Sequence, residues 1–115
     1  MMDPAQFSKA KLYKGAAFSF SFRLKRAGAA ITPDSVIFTA SDKPGGTSVF
    51  EFESGDSPAR ITVDDEQIWT VEIPADETDD VEQGELYMQV DAVEDGVRRR
   101  WIVGNIKVYP DATAD

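Results

Sequence analysis

The chain has 115 residues and a mass of 12.7 kDa, enough for one domain with one hydrophobic core. With 42% apolar residues, 10% aromatics, no cysteine and no histidine, it is not a disordered tail; disulfide scaffolds, thiolate zinc sites and His- or Cys-based catalysis are excluded. The net charge of −9 is unevenly spread, +5 over residues 1–33, −16 over 34–95 and +2 over 96–115, a balance that disfavours nucleic-acid binding.

Residues 1–6 read as a frayed tail with neither the basic start nor the apolar stretch of a signal peptide. No apolar run approaches the roughly 20 residues of a membrane-spanning helix, so no membrane partner is expected. From there the hydrophobic period is two almost throughout. After the Lys14-Gly15 turn, Phe18, Phe20, Phe22 and Leu24 alternate with polar residues, which predicts a half-buried strand. Val36, Phe38 and Ala40 predict a second strand, Phe50 and Phe52 a third, and Ile61 with Val63 a short fourth. Trp69, Val71 and Ile73 give a fifth. The acidic segment from Pro74 to Gly84 begins at a proline and ends at a glycine, and predicts a loop or a single helical turn. Leu86, Met88, Val90 and Ala92 form a sixth strand. Asp95-Gly96 predicts a type I′ hairpin into a long last strand through Val97, Arg99, Trp101 and Val103. The apolar parity then changes, because Ile106 and Val108 follow, and a bulge is expected at Gly104-Asn105. Residues 110–115 read as a second tail.

Seven to eight short strands separated by turn signals predict an all-β, antiparallel, immunoglobulin-like β-sandwich in one domain spanning 1–115. Its expected core is Phe18, Phe20, Phe22, Phe38, Phe52, Trp69, Val71, Met88, Val90, Trp101 and Ile106.

The residue chemistry offers little catalysis. No nucleophile has a visible base, no glycine-rich phosphate loop is present, and the carboxylates fall in loops or on outward strand positions. No catalytic residue, cofactor or metal site is expected. The acidic groups Asp76, Glu77, Asp79, Asp80, Glu82 and Asp64, Asp65, Glu66 lack the alternating spacing and central glycine of a calcium loop, and read as solvated turns. Lys9, Lys11, Lys14 and the run Arg98, Arg99, Arg100 read as charged strand faces or edges. Tyr13, Tyr87 and Tyr109 fall off the inward parity or at strand ends. They are the candidate exposed aromatics, a residue type enriched at interfaces.

Several segments carry a resemblance. Leu12-Tyr13-Lys14-Gly15 leads directly into the strand Ala17-Phe18-Ser19-Phe20-Ser21-Phe22. The middle ends in Trp69-Thr70-Val71-Glu72-Ile73-Pro74, followed by Glu77-Thr78 and Gly84-Glu85-Leu86-Tyr87-Met88-Gln89-Val90. Asp95-Gly96-Val97 and Val103-Gly104-Asn105-Ile106-Lys107-Val108-Tyr109-Pro110 close it. In this order, from Lys11 to Thr113, the chain resembles small immunoglobulin-like structural proteins of tailed bacteriophages and prophages, found in tails, baseplates and virion-decorating modules. The resemblance implies a non-enzymatic virion component, assembled in the bacterial host cytoplasm, whose expected partners are other virion proteins and a second copy of itself. The candidate interface is Lys9, Lys11, Tyr13, Lys14, Arg23, Lys25, Tyr87 and Tyr109. The alternative is a carbohydrate- or receptor-binding β-sandwich adhesion module, for which Tyr87 beside Gln89 and Asp91 is the nearest candidate.

Overall fold

A computed structural model of the chain describes residues 5–43, 46–57, 59–79, 81 and 84–110, with only the backbone described for 5–9. The strands are β1 (Ala5–Tyr13), β2 (Phe18–Phe22), β3 (Lys25–Arg26), β4 (Ala29–Ala30), β5 (Ser35–Ser41) and β6 (Ser48–Glu53). They continue as β7 (Ile61–Val63), β8 (Trp69–Ile73), β9 (Gly84–Glu94) and β10 (Val97–Tyr109), with one helical turn, α1 (Ala75–Thr78), after β8. The fold is all-β, as the period of two requires.

The strands form a five-stranded sheet in the order β1-β10-β9-β5-β6, a three-stranded sheet β2-β8-β7, and the small hairpin β3-β4. The expectation of a wholly antiparallel arrangement does not hold, because β1 lies parallel to β10, with Ala5 beside Ile102 and Tyr13 beside Tyr109. Parallel neighbours need a long connection rather than a tight turn. Here the connection is the entire chain between them. Ala5 and Gln6, expected in a tail, are therefore the start of a paired strand; residues 1–4 and 111–115 lie outside the described residues.

One hydrophobic cluster joins the two larger sheets. Phe18, Phe20, Trp69, Val71 and Ile73 enter it from β2 and β8, and Phe38, Phe50, Met88, Val90 and Ile106 from the five-stranded sheet. The Phe20 ring lies 6.2 Å from that of Phe38, which stacks in turn on Phe52 at 6.3 Å. Phe22, Phe52 and Trp101, expected in the core, are only half-buried and pack against it. Leu12, Leu24 and Val81 are buried members that the expected core omitted.

Two turns fall in the left-handed region at both central residues. Asp95 (φ 52°) and Gly96 (φ 78°) form the expected I′ hairpin, and Ala27 (φ 53°) with Gly28 (φ 83°) forms a second, joining β3 to β4. The bulge in β10 is not at Gly104-Asn105, which pair in register with Met88 and Tyr87. It lies between Arg100 and Ile102, where Trp101 is an extra residue opposite the step from Asp91 to Val90. This moves Val103 out of the expected core row and onto the outer face beside Gln89, and brings Ile102 in, where it is buried.

The predicted helical turn after Pro74 is α1, and it anchors more than its composition suggests. Thr78 is fully buried: its Oγ1 accepts from the Gly15 amide at 3.0 Å and lies 2.9 Å from both the Ala16 and Ala75 carbonyls, to either of which it can donate. That ties α1 to the turn between β1 and β2, so the polar group is satisfied where it is buried.

Candidate interaction surface

The outer face of the five-stranded sheet carries half of the candidate interface. Along β1 and β10, Lys11 stands opposite Lys107 and Tyr13 opposite Tyr109. The two tyrosine rings stack with centroids 5.2 Å apart and planes 23° from parallel, within the offset geometry that aromatic pairs favour. Lys107 Nζ sits 5.5 Å from the Tyr109 ring centroid, a cation over the face of that ring. Tyr13 is 39% exposed and Tyr109 is half-buried. Tyr87 lies on the same face, opposite Asn105, two strand positions along from the row of Glu85 and Lys107. Lys14 follows at the end of β1, its amide donating to the Tyr109 carbonyl at 3.2 Å. Beside this group Gly84, Glu85, Lys107, Val108, Tyr109 and Pro110 line a shallow, open depression of about 480 Å³. Lys9 belongs to β1, and its side chain lies outside what is described.

Arg23 and Lys25 are not part of this group. They follow β2, whose length of five residues, about 17 Å, separates them from the Tyr13 end. Arg23 makes an exposed ion pair with Glu66 at 3.5 Å, and Lys25 is exposed on β3. Next to Lys25, Arg26 binds the Glu94 carboxylate with both terminal nitrogens and lies 5.3 Å over the Trp101 ring. The hydrogen bond with Glu94, and then its charge, hold the Arg26 guanidinium above its ordinary pKa. The seven candidates whose side chains are described thus divide into two separate surfaces.

Farther along the outer sheet face is a cluster that composition and period did not single out. Asp91 is buried there, although its neighbours in β9 along the same face, Gln89 and Val93, are half-exposed. Arg98 Nε donates to its Oδ2 at 2.6 Å, Gln89 Nε2 donates to the same oxygen at 3.2 Å, and Arg100 Nε stands 3.8 Å from Oδ1. Two arginines that the sequence presents as an exposed run are therefore gathered over one carboxylate. The hairpin register would have exposed this: Asp95-Gly96 puts Arg100 opposite Asp91 and Arg98 opposite Val93. Lys107 opposite Glu85 was beyond reach, because that pairing depends on where the bulge falls.

The acidic groups serve as turns and ion pairs. Asp64 Oδ1 accepts from the amides of Glu66 (2.9 Å) and Ile68 (3.0 Å), closing the β7–β8 turn. Glu77 pairs with Arg60, and that hydrogen bond holds the arginine above its ordinary pKa. Asp80 and Glu82 lie outside the described residues, among which no three acidic side chains converge as a metal site would need. Among the same residues no helix is long and apolar enough to cross a membrane. The chain matches no protein-family model and no curated protein sequence.

Proposed function

We propose that this chain is a non-enzymatic structural protein of a tailed phage or prophage virion, of tail or baseplate type, acting through protein–protein contacts. The observation that carries the reading is the Tyr13–Tyr109 stack flanked by Lys11 and Lys107. It is an aromatic and basic patch on the edge strand β1 and its neighbour β10, in a chain whose net charge is strongly negative. Exposed tyrosines beside charges supply contact area and orientation at interfaces. The strand order supports an immunoglobulin-like sandwich as the finer fold. β2, β8 and β7 take the places of strands B, E and D, and β5, β9 and β10 those of C, F and G, with β6 added beside C as in variable-type domains. The first strand joins the C-F-G sheet.

The adhesion-module alternative is weaker. Its acid, Asp91, is buried beneath Arg98 and bonded to Gln89, so neither is left free beside Tyr87 to bind a sugar. Mass spectrometry of density-purified particles from the phage or induced prophage encoding the chain tests the proposal. The chain is expected there at structural-protein abundance. Its absence from particles, or strong hits on a glycan array, would overturn the reading.

A further inference from the structure

The five-stranded sheet ends in two strands of opposite charge. β1 carries Lys9 and Lys11 and no acid; β6 carries Glu51 and Glu53 and no base. β1 is the outermost strand on one side and β6 on the other. A strand in that position offers unpaired backbone donors and acceptors, which natural proteins normally guard with charge. Guarding works when every edge carries the same sign. Opposite signs instead guard against like edges and leave unlike edges free to join.

Each edge also has charge that its own sheet leaves uncompensated. Lys11 faces another cation, Lys107, across the β1–β10 ladder, an unfavourable cross-strand pair. Glu51 and Glu53 lie opposite Thr39 and Ile37. Among the described residues Lys11, Glu51 and Glu53 form no ion pair. The two edges carry an exposed apolar residue each, Tyr13 on β1 (39%) and Val49 on β6 (42%).

We infer that β1 of one copy pairs with β6 of a second copy, extending the sheet head to tail; this rests on the assembly reading above and names its self-contact. Within one sheet β1 runs parallel to β10 and β5 and opposite to β9 and β6. A neighbour in the same orientation therefore presents its β1 antiparallel to β6. Lys11 of one copy and Glu51 or Glu53 of the next then stand on the same outer face. A two-fold β1–β1 pairing would set lysines against lysines, and β6–β6 glutamates against glutamates. Charge thus selects the heterologous contact, which builds rings or filaments rather than closed two-fold dimers.

Sedimentation velocity on the full chain tests this by charge exchange. The wild type associates at low salt. Raising salt from about 0.01 M to 1 M cuts the Debye length from roughly 30 Å to 3 Å and weakens that association by roughly tenfold. The variant K9E/K11E and the variant E51K/E53K are each monomeric, because each has two edges of one sign. Mixing the two restores association, since each then offers the edge the other needs. A monomeric wild type, swapped variants that associate as the wild type does, or a mixture that stays monomeric would overturn the inference. If a swapped variant loses its β-sheet circular dichroism, hydrogen exchange on the wild type decides instead. Amides of residues 5–13 and 48–53 gain protection with protein concentration while those of β2 and β8 do not; protection gained elsewhere, or nowhere, overturns it. Particle mass spectrometry remains independent, so a chain present in virions but monomeric alone refutes the self-contact and leaves the proposed function standing.

Discussion

The two faces of the five-stranded sheet both bury residues, but by different physics. On the inner face Phe38 is fully enclosed by rings and aliphatic chains, Phe20 and Phe52 among them. Burial there follows from removing apolar surface from water. On the outer face Asp91 is nearly as buried, under side chains that are themselves half in water: Arg98 is 48% and Arg100 53% exposed. A carboxylate is costly to bury unless it is paired and hydrogen-bonded, and the hairpin register supplies the pairing. The inner face therefore holds the fold together, whereas the outer face holds charges in chosen places.

Substitutions on each face separate the two. Phe38→Ala opens a cavity in the fully enclosed core and should cost about 3–5 kcal/mol by urea denaturation, the largest effect expected of a single change. Arg98→Ala strands the Asp91 carboxylate with only Gln89 and the more distant Arg100, and should cost about 1–3 kcal/mol, toward the lower end because water reaches the half-exposed pair. Asp91→Leu should be milder than Arg98→Ala, since it removes the charge instead of stranding it. An Arg98→Ala loss matching that of Phe38→Ala would erase the distinction between the faces. Tyr13→Ala should cost least, about 0.5–1 kcal/mol for an exposed aromatic stack, while lowering self-association at low salt. If association is unchanged, the stack contributes to the sheet edge alone.

Much of the candidate surface was legible only in part for the same reason. Parity placed Tyr13, Tyr87 and Tyr109 off the core row, and the outer face is where they lie. Parity could not join Tyr13 to Tyr109, 96 positions apart in the chain, nor separate Arg23 and Lys25 from Lys11. It also read Asp91 as an outward acid available beside Tyr87 and Gln89, because the arginines that cover it belong to the neighbouring strand.

The sequence by itself determined that the chain is all-β, which residues of most strands face the core, and where the tight turns fall. These are local properties: a period of two states the face of a strand, and Asp95-Gly96 supplies the positive φ that a two-residue hairpin needs. Tertiary structure alone decided that the first strand joins the last in parallel, that the bulge sits at Trp101 instead of Gly104, and that Asp91 is buried. Each depends on which strands become neighbours and in what register. That choice minimises the exposed apolar area and unpaired backbone of the whole molecule, so no window of sequence contains it.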